Sequence, residues 1–519
     1  MVAALLRVIY GGVQDSRLLC QKGKPNINFF IKAFIRAGRF TTQWTRLDFD
    51  TLPVLGNTSV ITLPRKGHLI SRLYLVTTLP DIATPQVAAQ KWCAANGKLF
   101  VGPTFGWTNS LGHALLQQAS IDIGGSRVEQ IDGRLLEVLD EFYTPLEKVS
   151  LMDKLLPRDS SDFHPGELGS SGPPVQATTP LPFWFSSGDA GTFLPIDALQ
   201  ADPVRLNITF SSPANLFVST AQKNTANLRA PPAGGEAYFP LGESKFYYAD
   251  IGGTDISGLN GNPLQSIKAS AVPNIAMPTN QILQVLGETY IMAEYIYLDK
   301  PEANRFRLAD IQVPILQHYV FDPVDTNSMP QANCYLKIAN PTRNLFFYLQ
   351  RYEAPYFNAP FLATRDLSGA GTGTPWWPNA SHIDSRVYKD LVPGFVFRNS
   401  EPISAVDLIY EGNLFRYSTT TPSVFRSLLP SMEQKKSPWV NRYFYNMPFA
   451  YDSGSLPPSQ PCGEANMDKV VSINLRMDLS PLAGYVDTAS VPRYLVYIWA
   501  ETYNIFRVYG GRGGMMFAY

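Results

Sequence analysis

The side chains able to do chemistry are present but not gathered. Five histidines, His68, His113, His164, His318 and His382, are scattered, and none sits four residues from another or beside a cysteine. A local metal set needs such spacing. Cys20, Cys93, Cys334 and Cys462 are far apart with no paired spacing, which fits free thiols in a reducing compartment. No nucleophile elbow and no phosphate-binding loop occurs. The glycine-rich run Gly369-Ala370-Gly371-Thr372-Gly373 leads into Pro375-Trp376-Trp377-Pro378 and not into a helix. A phosphate cradle needs helix amides behind it. The carboxylates Asp140 and Glu141 fall on the polar side of an amphipathic stretch, where solvated charge is the expectation and a glycosidase pair the exception. No catalytic residue, metal site or cofactor is expected.

Two surface chemistries are left. Asn57-Thr58-Ser59, Asn207-Ile208-Thr209 and Asn379-Ala380-Ser381 are glycosylation sequons, whereas Asn340-Pro341-Thr342 is blocked by proline. Asn57, Asn207 and Asn379 are therefore candidate acceptors in an exported chain. No export signal is read here: Arg7 breaks the apolar stretch Val2 to Ile9, and no small-residue cleavage site follows. No run approaches the ~18 apolar residues of a membrane span. In a chain made in the cytosol the three asparagines are ordinary polar residues. Trp376 and Trp377 form a candidate exposed contact for a partner, or fold over a sheet edge.

The elements that must position these residues are mostly strands. A chain of 519 residues exceeds one core and divides naturally into two sandwiches of about 200–250 residues. Charged residues make up only 17%, below the usual quarter, as on a surface that partners bury. Lys+Arg and Asp+Glu balance at 43 each, so direct nucleic-acid binding lacks its basic footprint. The 42 prolines and 38 glycines are spread out, like turns between many short strands.

Gly124-Gly125 reads as a two-residue hairpin turn, pairing Ile121 with Val128 and Asp122 with Arg127. A helix follows, with Asp132 as N-cap and Leu135, Val138, Leu139 and Phe142 on one face. A second helix is predicted from Thr144 as N-cap, Pro145 at the first position and Glu147 closing a capping box, with Leu146, Val149 and Leu156 buried. PLPFWFSSG (Pro180–Gly188) and the alternating strand VRLNITF (Val204–Phe210) come next. The same order recurs in SAVDLIYEGNLFRY (Ser404–Tyr417), with a turn near Gly412-Asn413. Thr421 and Pro422 then open a helix bearing Val424, Phe425, Leu428 and Leu429 on one side. NMPFAYDSG (Asn446–Gly454) and VSINLRM (Val471–Met477) complete it. Four elements repeated in order indicate a duplicated β-sandwich domain. The boundary is placed between Ser211 and Gln281, and the run Leu283 to Leu298 is expected to open the second domain.

These segments resemble the major capsid proteins of the nucleocytoplasmic large DNA viruses, a family that includes chlorovirus and iridovirus capsids. The resemblance runs through GGVQDSRL (Gly11–Leu18), NINFFIKAFIRAGRFTTQ (Asn26–Gln43), PRKGHLISRLYL (Pro64–Leu75) and IDIGGSRVEQ. It continues in LPIDALQADPVRLNITF, ETYIMAEYIYLDKPEANRFRLAD (Glu288–Asp310), QPCGEANMDKVVSINLRM (Gln460–Met477) and YIWAETYNIFRVYGGRGGMMFAY (Tyr497–Tyr519). It implies an all-β fold of two tandem eight-stranded jelly rolls with short helices in loops. The expected divisions are an assembly arm at 1–25, a first jelly roll at 26–218, a linker or insertion at 219–280 and a second jelly roll at 281–519. The resemblance implies no enzyme activity. It implies a structural capsid protein whose homotrimers, as pseudo-hexagonal capsomers, tile an icosahedral virion shell assembled in the host cytoplasm. Implied partners are neighbouring capsomers, minor capsid and penton proteins and an inner membrane beneath the shell, with no direct nucleic acid. Alternatives are a membrane-shaping scaffold, a minor capsid protein, and a β-sandwich carbohydrate-active enzyme or lectin.

Overall fold

Alternation along the strands decides the architecture. In Val204–Phe210 the apolar Val204, Leu206, Ile208 and Phe210 are buried, while Arg205 is exposed and Asn207 and Thr209 half-buried. Ile473–Leu479 repeats the pattern with Ile473, Leu475, Met477 and Leu479 inside. Period-two burial of this kind belongs to strands with one face on a core. The computed structural model describes residues 39–79, 105–158 (without 109), 176–219 (without 213–214), 286–351, 360–363 (without 362), 401–454 (without 413, 420 and 439–441), 462–480 and 491–517.

The main strands fall into two sets. The first comprises β1 (Phe40–Leu47), β2 (Thr58–Thr62), β3 (Leu69–Thr78), β4 (Leu116–Ile123), β5 (Ser126–Ile131), β6 (Gln176–Pro180), β7 (Val204–Phe210) and β8 (Thr289–Leu298). The second comprises β9 (Ile311–Val320), β10 (Gln331–Leu336), β11 (Pro341–Arg351), β12 (Ile403–Tyr410), β13 (Leu414–Thr419), β14 (Phe444–Pro448), β15 (Ile473–Leu479) and β16 (Tyr494–Tyr509). In the first set the sheets run β1-β8-β3-β6 and β2-β7-β4-β5. In the second they run β9-β16-β11-β14, with three short strands attached, and β10-β15-β12-β13. The two orders are the same, strand for strand. Each set is an antiparallel jelly roll, roll 1 and roll 2, and the protein is a double jelly roll.

The expected duplication is visible in the parts. The hairpin β4–β5 turns at Gly124 (φ 60°) and Gly125 (φ 88°), and β12–β13 turns at Glu411 (φ 49°) and Gly412 (φ 81°). Both hairpins thus use two successive positive-φ residues, the backbone that matches strand twist. Asn207 and Asn474 lie on the equivalent strands β7 and β15. Asn207 sits opposite Ser120 and Asn474 opposite Ile409, so they are offset when counted from the hairpins.

Three expectations are corrected. The run that was to open the second domain instead completes the first. β8 pairs with β1 from Phe40↔Leu298 to Leu47↔Ile291 and with β3 from Thr289↔Thr77 onward, and it buries Ile291, Ala293 and Tyr295 in the roll 1 core. The closing strand of a jelly roll returns beside its first, so nearness in sequence misleads here. The passage between the rolls is α3 (Lys300–Leu308), whose N-cap Asp299 accepts from the Lys300 amide at 2.9 Å.

Second, the capping box at Thr144 does not form. Thr144 ends α1 (Gly133–Tyr143) and donates its hydroxyl to Asp140 Oδ1 at 2.6 Å. Leu146 is exposed, while α2 (Val149–Leu155) and the following Leu156 bury Val149 and Leu156. Third, the helix after β13 begins as a π-helix, Val424–Leu428, and continues as α4, Leu429–Glu433. The wider turn shifts the phase, so Phe425 is buried but Leu428 faces out.

Candidate functional site

The sequons do not make a site. Asn57 is exposed in the turn before β2. The Asn207 side-chain amide donates to Asp122 Oδ2 at 2.7 Å and Ser120 Oγ at 3.4 Å across β7 and β4, so the strand already occupies it. Asn379, Trp376, Trp377, the glycine-rich run, His164, His382, Cys20, Cys93 and the 1–25 arm lie outside the described residues. His68 accepts from the Leu298 amide at 2.8 Å through Nδ1 and helps to seat β8. Cys334 is buried on β10, where burial pushes its thiol up to about 12, and Cys462 is half-buried.

What the structure does gather is a buried polar joint between the rolls, built by α1. Asp132 caps this helix as expected, its Oδ1 accepting from the Leu135 amide at 2.7 Å. Gly133 allows the helix to start against the turn Leu111–Ala114, because a Cβ there would lie 2.1 Å from the His113 carbonyl oxygen. Leu135, Val138, Leu139 and Phe142 face the core as predicted. The opposite face does not meet water. Glu137 and Glu141 are fully buried and Asp140 nearly so. This corrects the expectation of solvated charge at Asp140 and Glu141, and the cause lies far along the chain. Roll 2 brings Arg442 to Glu137 and, through Nε, to within 3.6 Å of Glu141. Lys436 Nζ lies 3.1 Å from Glu141. From roll 1, Arg158 pairs with Asp140 at 2.6 Å, and His113 Nδ1 with Glu137 at 2.5 Å.

The result is three carboxylates facing three fixed cations. Burial alone would raise the Glu137 carboxyl, but Arg442, with His113 and Arg158, holds it well below the usual carboxylate range.

A second polar group lies where edge strand β5 meets edge strand β9. Glu129 accepts from the Trp184 amide at 2.9 Å and sits 3.2 Å from His318 Nδ1. The other ring nitrogen of His318 is 3.9 Å from Glu501 on β16. Glu501 also accepts from Tyr143 Oη at 3.0 Å and Asn344 Nδ2 at 2.6 Å. Gln317 Nε2 donates to the Val128 carbonyl at 2.7 Å. Burial works to lower the His318 pKa, but the hydrogen bond and charge of Glu129, with Glu501, raise it above the ordinary value.

Aromatics fill the space between. Phe142 packs on Phe346 at 5.4 Å between ring centroids, and Trp184 on Phe506 at 5.5 Å. Tyr348, Tyr497 and Trp499 stack in parallel on roll 2, with the Arg134 guanidinium of roll 1 lying 4.6 Å from the Tyr497 ring centre. Trp499 Nε1 donates to Asp132 Oδ2 at 3.3 Å. These carboxylates are buried and hold the two domains in register. Sequence reasoning missed the joint, although Glu501 inside the aromatic strand YLVYIWAETYNIF was a signal: a lone carboxylate there needs a buried partner.

Fold and joint together define a double jelly roll. Residues 28–236 match the family described as "Major capsid protein N-terminus". The major capsid protein of Tipula iridescent virus is 24% identical over 92% of this chain and 90% of its own length. Probable capsid protein 4 of Acanthamoeba polyphaga mimivirus is 26% identical over 41% of this chain, and that match spans only 38% of the mimivirus protein. The chain in the quasi-atomic model of the PBCV-1 virus capsid superposes with a TM-score of 0.62 over 95% of this chain and 100% of its own, at 18% identity. The chain is thus similar to major capsid proteins of large DNA viruses, through the family model in its first part and through whole-chain relatives over most of its length.

Proposed function

We propose that this chain is the main building block of an icosahedral shell. It acts as a homotrimer in which six jelly rolls form one pseudo-hexagonal capsomer. The observation that carries the reading is the pair of rolls with one strand order, locked side by side by a buried joint. Two equivalent modules per chain turn three-fold symmetry into an almost six-fold outline, and such units tile a surface. A low charged fraction of 17% suits capsomer flanks that pack on one another. Neighbouring capsomers, minor capsid and penton proteins and an inner membrane are the proposed partners, and the host cytoplasm the proposed place of assembly. Light scattering on the purified chain should give three times the chain mass, with contacts above ~2,000 Å² per pair. Quantitative mass spectrometry of purified particles should rank the chain first in copy number. A folded monomer at micromolar concentration, or a trace abundance in particles, overturns the proposal.

A further inference from the structure

The closing strands of the two rolls differ in one respect. β8 has ten residues and is paired nearly throughout, by β1 from Ile291 to Leu298 and by β3 from Thr289 to Ile296. β16 has sixteen, and its two neighbours separate. β9 follows it from Trp499 to Val508, whereas β11 leaves it at Thr502. A short strand, β17 (Arg512–Met515), fills the vacated lane beside Phe506 to Tyr509. It folds back over a tight turn at Gly510 (φ 58°) and Gly511 (φ 81°).

What β17 touches lies in roll 1. The Gly511 carbonyl accepts from the Ala201 amide at 2.9 Å, and the Gly513 amide donates to Asp202 Oδ2 at 3.1 Å. Gly513 has no room for a side chain, because a Cβ there would lie 2.5 Å from Leu199 Cδ2. The receiving segment is fixed in its own roll. Arg65 donates to the Leu199 carbonyl at 2.5 Å and the Gln200 carbonyl at 2.8 Å, and the Gly124 amide to the Pro203 carbonyl at 3.1 Å. α3 reaches the same segment, with Arg307 Nε 2.7 Å from Asp197 Oδ2. On the roll 2 side, the Met516 amide donates to the Ile505 carbonyl at 2.9 Å. Asn504 exchanges hydrogen bonds with the Phe517 backbone at 3.2 and 3.3 Å.

The hairpin is nonetheless weak in itself. Four residues make a short strand, and glycines in a strand interior cost it packing and chain entropy. Leu199 forces the glycine at 513, but at 514 a Cβ would have no atom within 4 Å, so packing does not require a glycine there. Such a segment belongs to the low-stability end of a fold, where one part opens without the rest. We propose that the β16–β17 hairpin is a releasable clasp between the rolls. Closed, it fastens residues 199–203 of roll 1 to roll 2. Open, it frees that segment while both rolls stay folded, and the rolls are then held by the buried polar joint at α1 and tethered by α3. The chain thus has one fixed junction and one adjustable one.

Hydrogen exchange of the full chain, read by mass spectrometry with single-residue fragmentation, tests this with two neighbouring substitutions. In the wild-type chain the Gly513 and Met516 amides should exchange at least about tenfold faster than the paired amides in the middle of β9, and the Ala201 amide should open with them. Gly514→Val places a strand-forming side chain in open space and should slow the hairpin several-fold. Gly513→Ala drives a methyl group into Leu199 and should speed it several-fold, uncovering the Ala201 amide while β7 and β9 keep their protection. Wild-type exchange as slow as that of β9 overturns the clasp, and so does a lack of effect from either substitution. If Gly513→Ala loosens β7 and β9 equally, the hairpin is part of the common core and the proposal fails. If it frees the hairpin but not the Ala201 amide, the hairpin does not hold roll 1 and the proposal fails as well. Should Gly513→Ala not fold, the wild-type rates and Gly514→Val still decide the matter.

Discussion

Strands β9 and β1 hold the same place in their sheets, yet the middle of β9 is buried and most of β1 faces outward. The same contrast separates Tyr348 and Trp499, sealed beneath α1, from Tyr74 and Trp44 on the open face of roll 1. The fold does not distinguish the rolls; the residues on the equivalent surfaces do. Within the chain the surfaces meet through paired charges, which fix one geometry because any other leaves a buried charge alone. On the open face the charges are paired locally and aromatics are displayed. A covered surface and an open one thus carry different side chains on one backbone plan.

The sharpest way to break the comparison is Arg442→Met, which leaves Glu137 buried without its main counter-charge. A loss of about 3–5 kcal/mol in urea-induced unfolding is expected. A loss below about 1 kcal/mol would mean that the charges do not hold the joint. Phe346→Ala should cost about 3–5 kcal/mol as a buried truncation. Tyr74→Ala, on the open face, should cost about 1 kcal/mol or less. Equal costs would erase the distinction between covered and open faces. Asp132→Ala removes both a helix cap and the Trp499 partner, and thermal unfolding should show a loss of about 1–2 kcal/mol.

The gentlest probe is pH. His318 has a raised pKa in the folded state, so its contribution is fully present below its unfolded value of about 6.5 and is lost as pH rises through the folded value. Glu137 is depressed, so its contribution is present above about 4.3 and is lost only as pH falls through its lower folded value. Melting temperature against pH should therefore decline on the alkaline side in wild type and less steeply in His318→Gln. Identical alkaline slopes would remove His318 from the joint.

Much of the fold was legible because its signals are local. Alternation in VRLNITF and VSINLRM, the glycines of the β4–β5 turn and the cap at Asp132 each act within a few residues. Their repetition in order exposed the duplication. The joint was illegible for the opposite reason. Nothing near Asp140 or Glu141 announces Lys436 or Arg442, so an acidic helix face looked like a solvent face. β8 was assigned to its neighbour in sequence because strand pairing over such a separation leaves no local trace. The π turn in Val424–Leu428 likewise displaced a helix face that ideal 3.6-residue periodicity would have kept together.

The position of β8 also sets a timetable. It is an interior strand of roll 1, hydrogen-bonded to β1 on one side and β3 on the other. Until the ribosome has released residues through Leu298, those two strands border an empty lane and present unpaired edges. Edges of that kind invite pairing with other chains, most of all where the same product is made in bulk. Roll 1 therefore closes only shortly before roll 2 begins to emerge. Fragments cut before Thr289 should be poor folders, however complete their first seven strands look.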